Sequence, residues 1–256
     1  MAGPLSRALA FHHLTPFVVL NLKVKSPMQN AYRFVTLFAS LTLAAGASAQ
    51  HAGDIGLGLV NNRITTGIAA LGTFTPGERV FGSEFGEVLP NFTDEPGFDS
   101  LAGAFPLGTA ITFNVHGGLR RFESGAFSSA IDPVRLSIGF ATFTPVLTPT
   151  DSSLLPGFAI NVNSNGEWHR HLQFTLQSPA TNGIYLLEMS LVGNSPLMQE
   201  SQSFWIVFNQ NALEADHDAA MQWVNQNLVP SPGAGILLAG GGMILARRRR
   251  AVASAG

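Results

Sequence analysis

The chain has 256 residues, 12% of them charged and 46% hydrophobic, with 27 Gly, 15 Pro and no Cys. That length allows one or two domains with a real core, and sparse charge with abundant turn formers favours strands over charged helices, while the lack of cysteine excludes a disulfide framework, a thiolate zinc site and a thiol nucleophile. The formal charge of −2 conceals a segregation: Gln50 to Val229 holds six Arg, no Lys and all 16 Asp and Glu, a local net charge of −10 that excludes the basic face nucleic acid requires.

The N-terminal 49 residues read as a leader. From Met28 the chain runs MQNAYRFVTLFASLTLAAGASAQ. Arg33 supplies a positive n-region, Phe34 to Ala45 an apolar h-region, and Ala47-Ser48-Ala49 a small-x-small signal that places cleavage between Ala49 and Gln50. Residues 1–27 lengthen this signal without improving it, so translation is read as starting at Met28. The apolar run, about a dozen residues, is short of the roughly 20 a spanning helix needs, which favours cleavage over anchoring.

Residues 50–228 read as one domain. Apolar alternation recurs in short runs separated by turn residues, the pattern of antiparallel strands. The spacing predicts strands at 55–60 and 63–68, joined as a hairpin by Asn61-Asn62, which tolerates the positive φ of tight turns. Further strands are predicted at 79–85, 110–116, 119–123, 135–143, 158–163, 167–177, 183–192 and 203–209. Ten strands suggest an all-β fold, an antiparallel β-sandwich of jelly-roll-like form, because one open sheet would leave an apolar face wet. A single closing helix is expected over 213–228, with Leu213, His217, Ala220, Met221, Val224 and Leu228 on one stripe.

Residues 229–256 read VPSPGAGILLAGGGMILARRRRAVASAG, a proline hinge, a short apolar helix and four arginines. Basic residues flanking an apolar segment stay on the cytoplasmic face, which would leave the central domain outside the cytoplasm with a transient inner-membrane anchor. Val229, Pro230, Ser231 and Pro232, the glycine-rich apolar run and Arg247, Arg248, Arg249 and Arg250 resemble the PEP-CTERM sorting signal of Gram-negative bacteria; Ser231 stands where that family has Glu. The resemblance implies processing by signal peptidase and exosortase and delivery to the outer envelope or extracellular matrix, among exopolysaccharide or envelope components. The central region is similar to planctomycete PEP-CTERM proteins through HAGDI, FTDEPGFDS, GEWHRHLQFTL and SFWIVFNQN, a similarity that implies no activity.

The sequence contains no G-x-S-x-G, H-E-x-x-H, Walker A or dinucleotide motif, and no catalytic residue is assigned. The most informative cluster is Glu167-Trp168-His169-Arg170-His171. Period-two geometry puts Glu167, His169 and His171 on one strand face and Trp168 with Leu172, Phe174 and Leu176 on the other. Two imidazoles so placed can share zinc or copper, with Glu167 or a third histidine (His51, His116 or His217) completing the site; the alternative is a solvated polar strand face. His51, beside the cleavage point, could chelate copper if exposed as an N-terminus. His217 reads as a core histidine bonded to a neighbour, and His116 as a turn residue. The loop from Asn91 to Asp99 concentrates oxygen donors near a glycine, as calcium requires, or forms a solvated acidic loop. Trp168, Trp205 and Trp223 read as core. The function expected is that of an exported, non-enzymatic binding or structural sandwich, with an extracytoplasmic metal-binding protein or a carbohydrate-active hydrolase as the alternative.

Overall fold

Asn61 and Asn62 take φ of 51° and 61°, so the first turn has the positive-φ pair that lets two strands twist together without splaying. They join β1 (Ile55–Val60) to β2 (Arg63–Ala70) in an antiparallel hairpin that pairs Val60 with Arg63. The computed structural model describes residues 53–230, in which 44% of residues are strand and 8% helix. After the hairpin come β3 (Thr73–Pro76), β4 (Val80–Glu84), β5 (Phe92–Thr93), β6 (Phe98–Ser100), β7 (Ala110–His116) and β8 (Arg120–Glu123). They are followed by β9 (Ala126–Phe127), β10 (Leu136–Gly139), β11 (Val146–Leu147), β12 (Leu154–Asn161), β13 (Gln173–Leu176), β14 (Gly183–Gly193), β15 (Phe204–Gln210) and one helix, α1 (Glu214–Asn227).

These strands make a sheet in the order β3-β2-β1-β6, a second in the order β11-β10-β13-β5, and a larger third in the order β12-β7-β14-β15-β4, with β8 joining β14 and β9 joining β8. One apolar cluster draws on all three sheets: Ile55 and Leu57 from the first, Ile138 and Phe174 from the second, Phe113 and Leu187 from the third. The architecture is therefore all-β and sandwich-like. Each such side chain contributes about 1.5–3 kcal/mol by leaving water.

The largest sheet is buried on both faces at its centre, and every residue of β15 is buried. Odd positions of β14, Tyr185, Leu187, Met189 and Leu191, enter the main core, while Ile184 and Leu186 face a second cluster beneath α1. The helix contributes His217, Ala220 and Val224 to that face, with Met221 and Leu228 packed alongside. Leu213 departs from the expected stripe: it is the N-cap and is exposed, because the chain is still extended there, at ψ 141°. Among the described residues no helix is long and apolar enough to cross a membrane.

Two expectations need correction. The pairs β1–β6 and β4–β15 are parallel, so the sheets are not antiparallel throughout. Parallel neighbours need a long crossover, and residues 61–97 and 85–203 supply it. The strand expected over 167–177 forms a ladder only at β13. Between Glu167 and Leu172 the chain passes from the edge of the first sheet to the second, joined to β6 by the single bridge Phe98↔Arg170. The ladder stops there because the Trp168 N–H donates to the Ser100 hydroxyl, 2.7 Å away, instead of to a backbone carbonyl.

Candidate functional site

Three backbone segments meet around the His169–His171 pair. The Ile55 N–H donates to the Gly97 carbonyl at 2.7 Å, and Phe98 and Arg170 exchange two backbone hydrogen bonds of 2.8 and 2.9 Å. The parallel register of Ile55 with Phe98 sets Asp54 beside Gly97. The Phe98↔Arg170 bridge in turn sets Gly97 opposite His171 and Asp99 opposite His169. Cross-strand neighbours share a face, so Asp54, Asp99, His169 and His171 emerge on one side of a three-strand patch.

The geometry follows from that register. Nδ1 of His169 lies 3.1 Å from Asp99 and 3.7 Å from Asp54, while Nε2 of His171 lies 3.9 Å from Asp54. Nδ1 of His171 faces the Asp94 carbonyl at 3.2 Å and the Glu95 carboxylate at 3.5 Å. The rings stand 5.1 Å apart at 61°. One potential ligand atom each from Asp54, His169 and His171 falls within 4.8 Å of the others. Gly97 is the floor: a Cβ there would lie 2.6 Å from Cε1 of His171 and would run into Asp54.

The expected alternation holds across the motif even without a ladder. Trp168, Leu172, Phe174 and Leu176 are buried, and the two histidines are not. Glu167 is not in the three-residue group, since its carboxylate accepts a hydrogen bond from the Asn165 amide at 2.9 Å within its own turn. Asp54 takes that place, and sequence reasoning missed it. The acidic loop at 91–99 and the histidine pair, two separate motifs in the sequence, are one site in space.

The other histidines have different surroundings. His217 is buried, with Nε2 2.9 Å from the Val207 carbonyl and Nδ1 3.1 Å from Glu84, as expected of a core histidine bonded to its neighbours. Burial alone would lower its pKa, but the Glu84 hydrogen bond, the Val207 carbonyl and the charges of Glu84 and Glu214 together raise it. Glu84, Glu214 and His217 form a second three-residue group of potential ligands. His116 ends β7 rather than sitting in a turn, and its Nε2 lies 2.8 Å from the Ser190 hydroxyl, which donates to Glu200 at 2.6 Å. Ser190 is buried, so this row is a satisfied polar patch on the sheet rather than an accessible nucleophile.

A shallow pocket is lined by Arg63, Ile64, Thr66, Gly77, Arg79 and Gln202. Its two cations are committed to backbone carbonyls, Arg63 to Glu200 and Arg79 to Ser203. Trp168 and Trp205 are core residues, and Trp223 packs partly buried under the sheet. Val229 packs against the helix-facing cluster and Pro230 is exposed. Ala49, Gln50, His51, Ser231, Pro232 and Arg247 to Arg250 lie outside the described residues. No family model matches the chain, and no curated protein matches it.

Proposed function

We propose that the protein is an exported β-sandwich of the cell surface or extracellular matrix, a non-enzymatic binding or structural component whose leader and tail are both removed. The observation that carries this reading is the extent of the core. Among the described residues the first strand residue is Ile55 and the last buried helical residue is Val224, and the apolar interior they enclose lies in the stretch between the two segments with targeting character. Signal peptidase would cut at Ala49–Gln50. The proline motif at Val229–Pro232 would present the tail to an exosortase after the arginines had held it transiently in the inner membrane. A jelly-roll-like wrapping of the sheets belongs to the same reading. An acidic, lysine-free domain stays soluble and avoids anionic polymers unless cations bridge them.

Mass spectrometry of protein from the envelope and medium of producing cells tests the processing. The expected species begins near Gln50 and ends near Val229; recovery of the intact leader and arginine tail as the main form would overturn it. The mature protein should be retained by exopolysaccharide from the same cells and leave its chain length unchanged, and depolymerisation would put a hydrolase in its place.

A further inference from the structure

We infer that Asp54, His169 and His171 form a binding site for a divalent transition-metal ion, with zinc the ion that best suits this donor set. Two imidazoles and one carboxylate are borderline ligands that zinc accepts in three-residue sites, leaving a further position for water or another ligand. The side chains are 24%, 47% and 34% exposed, so an ion reaches them from solution.

Three features distinguish this group from a chance surface cluster. The ligand-bearing residues flank backbone positions locked by hydrogen bonds, so the donors are held by sheet structure rather than by a loose loop. At His171 the acceptors that orient a ligand histidine are also in place, the Asp94 carbonyl and Glu95 on Nδ1, whereas Asp99 meets Nδ1 of His169, the same nitrogen that faces Asp54, and so adds a further carboxylate to the site. Such outer partners fix the tautomer and aim the other ring nitrogen. With Nδ1–H of His171 donated to Asp94, the lone pair of Nε2 faces Asp54.

The third feature is charge. Among the described residues, the ion-pair partners of Asp54, Glu95 and Asp99 are His169 and His171, not an arginine. The nearby Arg170 is turned away to the Asn161 carbonyl and the Asn163 side chain. Three carboxylates around two imidazoles gather acidic charge that a divalent cation neutralises. Calcium is the poorer occupant because it takes oxygen ligands, and the two central donors here are nitrogens.

The test uses the untagged full chain in mild detergent, stripped of metal, titrated with Zn2+ by calorimetry and followed by thermal unfolding. One site of micromolar or tighter affinity is expected, with Zn2+ raising the unfolding temperature. Asp54→Asn should weaken that site at least tenfold and remove the visible d–d absorption of bound Co2+. The double variant His169→Ala, His171→Ala should abolish it, while Glu214→Gln in the second cluster should bind as the parent does. Asp54→Asn keeps the side-chain shape, and an unchanged metal-free unfolding temperature separates lost ligation from misfolding. Equal zinc affinity in all proteins, loss in Glu214→Gln alone, protection by Ca2+ but not Zn2+, or no binding by the parent would each overturn the site.

Discussion

Gly97 sits where any side chain would strike the carboxylate of Asp54. Its φ is not in the left-handed region, so glycine is required here for space and not for backbone freedom. Alanine at 97 would force apart Asp54 and His171, whose Cε1 also lies within 2.6 Å of the added Cβ. Gly97→Ala is therefore expected to cost about 1–3 kcal/mol of stability through overpacking. It should also cut the zinc-induced rise in unfolding temperature by more than half, although every proposed ligand remains. A variant as stable and as zinc-responsive as the parent would show that the neighbours can move aside.

The His217–Glu84 pair makes stability depend on pH. Burial opposes the imidazolium, yet the Glu84 hydrogen bond, the Val207 carbonyl and the two carboxylate charges together raise the folded pKa above its ordinary value of about 6.5. The folded state then holds its proton more tightly than the unfolded chain. This contribution is complete below the unfolded value and is lost as pH rises through the folded one. Urea midpoints measured from pH 6 upward should fall across that window, and Glu84→Gln should flatten the fall. The same slope in both proteins would remove His217 as its source.

Trp168 joins the site to the core. Its indole N–H donates to the Ile160 carbonyl at 3.1 Å, its ring meets Phe98 edge-on at 5.6 Å, and its residue is 1% exposed. Trp168→Ala should destabilise by about 3–5 kcal/mol. Trp168→Phe retains most of the packing but loses the indole hydrogen bond to the Ile160 carbonyl, for a loss of about 0.5–1.5 kcal/mol. Chemical denaturation gives both values, and near-equality of the two variants would mean that the hydrogen bond, not the packing, dominates.

Arg121 organises the N-terminal end of β14. Its guanidinium donates to Asp132 at 2.7 Å, to the Asn182 carbonyl at 2.9 Å and to the Tyr185 hydroxyl at 2.6 Å, and it lies 4.7 Å from the Tyr185 ring centroid. A lysine carries the charge but not the planar fork. Arg121→Lys should cost about 2 kcal/mol in urea unfolding, and a loss below about 0.5 kcal/mol would show that charge alone suffices.

Much of the local structure was legible in the sequence. The strand 110–116 has the bounds its alternation suggested, the Asn61-Asn62 turn has the positive φ its residue types allow, and α1 covers nearly the whole expected segment. The faces of the histidine motif were legible too, since side-chain period depends on local extension whether or not a ladder forms. The short strands β5, β9 and β11, two residues each, had no such signal, because they exist only through a partner distant in sequence.

The sequence by itself determined which residues turn inward, where the chain bends and which histidines share a face. Only the tertiary structure decided what stands opposite them. Asp54 is more than 110 residues from His169, and nothing in the spacing of either announces the other. The parallel register of β1 with β6, and the single bridge from Phe98 to Arg170, brought them together. Periodicity encodes a face, while the choice of partner across a sheet is set by the packing of the whole core; Glu167, only two residues from His169 in the sequence, stayed with Asn165, and the distant aspartate took its place.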